Sequence, residues 1–197
     1  MRGKLILVIG PMGSGKSTLM RHAIERFPEL RTPYSYTTRP RRPDSVENEH
    51  YKFVSTEEFE EMIRNDEFLE WAKFSNNYYG TLKEYVQEGI EEGKVMFKEM
   101  EVQGVRQVLA HMDHKDLVTV FIDAGSWETL VSRALQRAHM SDEELERRKK
   151  HFEEELTFMP DADVVIHNRT PEEKGSAMQA FEKIIEDALN QAHISHA

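Results

Sequence analysis

A chain of 197 residues with no cysteine excludes a disulfide framework, a thiol nucleophile and a thiolate metal site. Acidic residues outnumber basic ones 36 to 26, net charge -10, so the chain on average repels nucleic acid and anionic membranes, and any phosphate must meet a local basic site. Hydrophobic residues make up 39%, enough for a folded core, and no apolar run approaches the ~18 residues of a membrane span; nothing at the N-terminus reads as cleavable, so the cytoplasm is the expected location.

Residues 5–9, Leu-Ile-Leu-Val-Ile, are a continuous apolar run, the pattern of a strand covered on both faces in a parallel sheet. Gly10, Pro11, Met12, Gly13, Ser14, Gly15, Lys16 and Ser17 follow and fit G-x-x-x-x-G-K-[ST]. Leu19, Met20, Ala23, Ile24 and Phe27 then recur at helical spacing as far as Pro28. Strand, glycine loop and helix in that order form a phosphate-binding loop. Glycines let backbone N–H groups close on phosphate oxygens, and the helix N-terminus adds a positive dipole end. Lys16 reaches the β- and γ-phosphates of ATP or GTP, Ser17 offers its hydroxyl to Mg²⁺, and Thr18 adjoins them. Such a loop implies a nucleoside triphosphate and leaves the second substrate open.

Residues 33–83 break the pattern. Short β-like segments at 34–37 and 51–54 flank a polar loop carrying Arg39, Arg41 and Arg42, three cations suited to bidentate phosphate recognition in an acidic chain. Ser55 and Glu58 form a capping box for a short helix bearing Phe59, Met62 and Ile63, so the segment reads as an insertion of mixed structure. Buried-strand signals return at 95–97, 117–122 and 164–166, with a helical pattern of Val102, Val105, Val108 and Leu109. Lys98 is unusual for a buried strand and is expected to mark its exposed end.

Residues 125–157 read as a second insertion: two helices capped by Ser126 and by the Ser141–Glu144 box, joined near 138–141, suited to a mobile cover. The last helix is expected to start at Thr170-Pro171-Glu172-Glu173, an N-cap, a first-position proline and a box glutamate, with the tail 193–197 frayed. Strands alternating with helices argue for an α/β fold, a parallel sheet flanked by helices, with a core of 1–32, 84–124 and 158–197.

Ser35, Thr37, Thr38, Arg39 and Arg42, then Tyr51 and Phe53, then the segments 68–72 (Phe-Leu-Glu-Trp-Ala) and 77–81 (Asn-Tyr-Tyr-Gly-Thr), occur in the order in which the guanylate kinase family carries them. With the P-loop and the 163–168 segment, the chain resembles that family over nearly its whole length. The resemblance implies a P-loop kinase fold with an inserted mixed α/β acceptor region at 33–83 and a helical lid at 125–157. The implied activity is reversible transfer of the γ-phosphoryl group of ATP to GMP, with Mg²⁺. It also implies that Ser35, Glu70 and Thr81 contact guanine and that Arg39, Arg42, Tyr51 and Tyr79 hold the GMP phosphate. Arg133, Arg137 and Arg148 would meet the ATP phosphates on lid closure, and Asn168 would lie near adenine. Physical sense agrees: guanine presents N1–H and an amino group on one edge, and a carboxylate accepts both.

The chain departs from the family at Glu99-Met100-Glu101-Val102-Gln103-Gly104, where two aspartates are usual. One of these positions touches the guanine amino group in the family, and the pair faces the metal, so Glu99 and Glu101 join the candidate site with each carboxylate moved by about one bond length. Two alternatives stay open: a kinase of another small phosphorylated acceptor such as dGMP or a sugar phosphate, and a non-catalytic guanylate-kinase-like module that binds phosphorylated peptides. Monomer and homodimer are equally open.

Overall fold

The computed structural model describes residues 2–41, 50–74, 76–135 and 140–193, so the candidate arginines Arg42 and Arg137, residues 138 and 139 of the expected helix junction at 138–141 and the tail from residue 194 lie outside the described residues. In chain order the elements are β1 (Lys4–Ile9), α1 (Lys16–Arg26), β2 (Ser35–Thr37), β3 (Tyr51–Phe53), α2 (Thr56–Arg64), β4 (Phe68–Phe74), β5 (Asn77–Leu82), α3 (Lys83–Glu91), β6 (Val95–Glu99), α4 (Val102–His111), β7 (Leu117–Asp123), α5 (Trp127–Leu135), α6 (Asp142–Leu156), β8 (Val164–His167) and α7 (Glu173–His193).

The apolar runs form one parallel sheet in the order β6-β1-β7-β8. Strand side chains alternate in direction, so β1 sends Ile6 and Val8 to one face and Leu5, Leu7 and Ile9 to the other. Leu19 and Ala23 of α1 and Phe181, Ile185 and Ala188 of α7 cover the first face. Val86 and Ile90 of α3 and Val102, Val105 and Val108 of α4 cover the second. Both faces being covered is why the strands read as unbroken apolar runs rather than as alternating ones. The carboxyl ends of the four strands stand together, with Val8 opposite Glu99 and Asp123 opposite His167.

A second sheet, β3-β2-β5-β4, pairs β2 with β3 in parallel and the remaining neighbours antiparallel. The helix α2 starts where Ser55 accepts the Glu58 amide at 3.0 Å and lays Phe59 between Phe68 and Tyr78, ring centroids 4.3 and 5.1 Å away. The hairpin β4–β5 carries no clear strand period in the sequence, because Glu70, Lys73 and Asn77 interrupt the apolar alternation. Its open edge is closed by a side chain: Gln107 of α4 accepts from the Trp71 amide at 3.1 Å and donates to the Trp71 carbonyl at 3.0 Å. Residue 31 ties the two sheets, its amide donating to Val95 and its carbonyl accepting from Phe97.

The helices α5 and α6 meet through Leu130, Phe152 and Trp127. Ser141 caps α6 as expected, accepting from the Glu144 amide at 3.3 Å, whereas the Glu144 carboxylate turns to Arg147 and Arg148. The last helix begins later than the sequence suggests. Pro171 and Glu172 lie in a turn, and Glu173 reaches back to the Arg169 amide at 2.6 Å rather than to Thr170. Among the described residues, no helix is long and apolar enough to cross a membrane.

Candidate active site

The glycine loop sits at the carboxyl end of β1, where α/β folds bind ligands. Gly10, Gly13 and Gly15 take φ of 139°, 88° and 100°, the left-handed region closed to most side chains. Gly15 is the N-cap of α1, so the amides of the first helical turn open into the loop. Lys16 is buried, and its ammonium donates to the Gly10 carbonyl and, at 3.1 Å, to that of Pro11. It also faces Glu99 Oε1 at 3.3 Å, and the Ser17 hydroxyl lies 3.5 Å from the other Glu99 oxygen. Asn168 braces the loop from β8, its amide donating to the Ser14 carbonyl at 2.7 Å.

Two cavities open beside this loop. The larger, about 430 Å³, runs between Gly10, Pro11, Met12 and Lys16 and the inner faces of α5 and α6. The smaller, about 270 Å³, is lined by Ser35, Tyr51, Glu70, Tyr79 and Lys98. Phe74, Glu99, Met100 and Glu101 line both. The two longer glutamates therefore form part of the partition between the spaces.

In the smaller cavity Glu70 is buried and accepts the Thr81 hydroxyl at 2.5 Å, the two residues standing opposite each other in the β4–β5 pair. Thr81 lies behind Glu70, its hydroxyl committed to the carboxylate. Burial raises the Glu70 pKa, and the Lys98 charge and the Thr81 hydrogen bond oppose the rise. Gly104 leaves room for this carboxylate: a Cβ there would lie 3.1 Å from Glu70 Oε2 and 2.8 Å from Met100. Arg39 places its guanidinium 5.4 Å from the Tyr51 ring centroid, and Tyr51 meets Tyr79 edge to face at 6.2 Å. Arg41 is exposed over Phe53 at 4.8 Å.

Lys98 corrects an expectation. It does not mark an exposed strand end; it is 7% exposed and turns inward from β6. Its ammonium donates to the Ser35 hydroxyl at 2.9 Å and to the carbonyls of Pro33 and Tyr34 at 3.4 and 3.5 Å, and these three acceptors make its burial tolerable. Burial lowers its pKa to about 8 against the pull of the Glu70 charge.

On the helical side Arg133 donates to the carbonyls of Asn168 and Arg169 at 3.0 and 2.9 Å. Arg148 pairs with Glu144 at 2.7 Å. Among the described residues no hydrogen bond joins either of them to the glycine loop, although Arg148 lines the same cleft. Asp123, buried at the end of β7, anchors the nearby loops. Burial raises its pKa, but hydrogen bonds from the Gly125 amide, Arg169 and His167 outweigh that and hold it below the usual range.

Glu155 is the side chain that sequence reasoning missed. From α6 its carboxylate accepts the Gly10 amide at 3.2 Å. Burial pushes its pKa up to about 7, with Lys16 opposing and Glu101 adding to the rise. A spacing of seven from Arg148, two helical turns, places both on one face and is the signal that could have found it.

A family model described as guanylate kinase matches residues 2–188. Guanylate kinases from Nostoc sp. and Rubrobacter xylanophilus are 42% and 41% identical to the chain over 180 and 167 residues, covering 91% and 85% of it and 88% and 86% of their own lengths. The crystal structure of guanylate kinase from Anaplasma phagocytophilum matches with a TM-score of 0.66 at 22% identity, covering 98% of this chain and 87% of that one, a likeness of fold.

The raised pKa of Glu155 has a defined sign. Its folded value, about 7, exceeds the ordinary 4.5, so the folded state holds the proton more tightly. The associated stability is fully present below pH ~4.5 and is lost as pH rises through ~7, by at most about 3 kcal/mol. Thermal melting of the unliganded protein and of Glu155→Gln should give similar midpoints at pH 5, with the variant increasingly the more stable towards pH 8. A pH-independent difference would show that Glu155 titrates normally.

Proposed function

The chain belongs to the guanylate kinase family, and on that premise we propose that its two adjoining cavities divide the reaction, the glycine-loop cleft taking the ATP phosphates and the smaller cavity taking GMP. The reaction itself is the ATP-dependent phosphorylation of GMP to GDP. The observation that carries the division is the shared lining of Phe74, Glu99, Met100 and Glu101, which sets the two cavities side by side.

In this reading residues 1–32, 84–124 and 158–197 are the core, 33–83 the GMP-binding insertion and 125–157 the lid. The ATP phosphates enter among the amides of the glycine loop and draw the Lys16 ammonium from the Gly10 and Pro11 carbonyls. Glu70 accepts from the N1–H and amino group of guanine. Arg39, Arg42, Tyr51 and Tyr79 surround its phosphate. That phosphate is the nucleophile and is largely ionised near neutral pH, its second pKa being ~6, so no general base is required. Catalysis is alignment plus stabilisation of charge on the transferring group by Lys16 and, once the lid closes, by Arg133, Arg137 and Arg148. Closure also excludes water, the competing acceptor.

Mg²⁺ fits the hard oxygen donors here: the Ser17 hydroxyl and the Glu99 carboxylate stand 3.5 Å apart beside Lys16 and would hold the cation together with phosphate oxygens. When bound it would neutralise phosphate charge. A kinase of these nucleotides belongs in the cytoplasm.

Steady-state kcat/KM with ATP against GMP, dGMP, AMP and IMP tests the assignment of the acceptor cavity. GMP should exceed AMP by roughly 10⁴-fold, because adenine places an acceptor against the buried Glu70 carboxylate. AMP used as well as GMP would overturn that role for Glu70. Lys16→Ala should lower kcat by roughly 10²-fold or more with the fold intact by circular dichroism, since the lysine meets charge that develops during transfer. Near-normal turnover by the folded variant would remove Lys16 from the mechanism.

A further inference from the structure

The acceptor cavity contains a buried cation that the reaction as described does not use. The Lys98 ammonium has three acceptors within reach, the Ser35 hydroxyl at 2.9 Å and the carbonyls of Pro33 and Tyr34 at 3.4 and 3.5 Å. The segment they belong to runs beside β6: the Arg31 amide and carbonyl pair with Val95 and Phe97 through the backbone. Beyond that pairing the Lys98 side chain takes over and fixes Pro33, Tyr34 and Ser35 to the core sheet.

The contact with Ser35 has a chemical consequence. A hydroxyl has one proton to donate and lone pairs to accept. An ammonium has no lone pair, so in the Lys98–Ser35 bond the serine oxygen must accept. The Ser35 proton is then directed elsewhere, and no other hydrogen bond of that hydroxyl is seen among the described residues. Both residues line the small cavity. The cavity thus offers two opposite polarities: a carboxylate at Glu70 and a donor at Ser35 backed by a positive charge. A 6-oxopurine presents donors at N1 and, in guanine, at the amino group, with a carbonyl acceptor next to them. A 6-aminopurine reverses N1 and position 6, placing an acceptor at N1 beside a donor amino group.

We propose that Lys98 is a positioning residue for acceptor choice: by donating to Ser35 it forces that hydroxyl to act as a donor towards the 6-carbonyl of the base, so that the cavity selects 6-oxopurine nucleotides at a second point besides Glu70. This rests on the assignment of GMP to the small cavity. It assigns a function to the lysine at 98, which strand patterning left as an exposed end.

The experiment compares GMP with 6-thio-GMP, in which a weakly accepting sulfur replaces the oxygen while N1–H and the amino group remain. Wild type should prefer GMP by about tenfold or more in kcat/KM, the loss of one charge-backed hydrogen bond. Lys98→Met, which keeps length without charge, should raise KM for GMP by about tenfold, leave KM for ATP unchanged and act on 6-thio-GMP by less than about twofold, closing the gap. Any change that Lys98→Met makes to Glu70 cancels in this ratio, since both nucleotides show Glu70 the same donor edge. In a Ser35→Ala background Lys98→Met should cost less than about twofold more, because the two residues act as one unit. Equal losses on both nucleotides, or losses that multiply in the double variant, would overturn the proposal and leave Lys98 a strut. Should Lys98→Met not fold, Ser35→Ala alone must close the GMP to 6-thio-GMP gap, and an unchanged gap overturns the proposal equally. If instead wild type failed to use GMP at all, the cavity assignment itself would fall, an outcome distinct from each of these.

Discussion

The parallel pairing of β1 with β6, with Val8 opposite Glu99, is the constraint on which the rest of the site depends. It sets the end of β6 beside the glycine loop that leaves β1, so Glu99 meets Lys16 at 3.3 Å and Ser17 at 3.5 Å. The next residues, Met100 and Glu101, become the partition between the two cavities. The same strand turns Lys98 towards the start of the acceptor sheet. One register therefore fixes the glycine loop, the Glu99 carboxylate beside it, the partition between the cavities and the anchor of the second sheet. A shift of one residue would reverse every side chain on β6 between the two faces of the sheet.

An acidic protein that handles polyphosphate must keep its cations available yet satisfied when no ligand is present. Each described basic group of the site rests on an internal partner: Lys16 on two carbonyls and Glu99, Arg133 on two carbonyls, Arg148 on Glu144. On the proposed reading these contacts would be exchanged for phosphate oxygens rather than created from solvent, which would lower the desolvation cost of binding. Glu155 belongs to the same arrangement from the opposite sign. It holds α6 against the Gly10 amide close to Lys16, and any negative charge bound there would favour its protonated form.

The glycine loop, the four core strands and α1 were legible because their determinants are contiguous: an apolar run, glycines at fixed offsets, a helical period. The residues around Glu70 were identifiable only through likeness to a family, since a glutamate between Leu69 and Trp71 carries no period of its own. The β4–β5 hairpin stayed hidden because Glu70, Lys73 and Asn77 interrupt its alternation, and its edge is completed only in the fold, by Gln107 of a distant helix. Lys98 was misjudged for a related reason. A lysine in a strand normally signals solvent, and only tertiary contacts with Pro33, Tyr34 and Ser35 make its burial tolerable. Thr81 shows the converse: it belongs to the motif as expected, yet its hydroxyl is committed to Glu70.

The central claim is that donor and acceptor share one partition and the phosphoryl group crosses it directly, with no protein nucleophile between them. The most direct measurement is the stereochemical course of transfer from ATP made chiral by isotopic labelling at the γ-phosphorus. Direct in-line displacement predicts inversion of configuration in the GDP formed. Retention would require two displacements through a protein group, with His151, which lines the larger cleft, the first to examine, and would contradict the account.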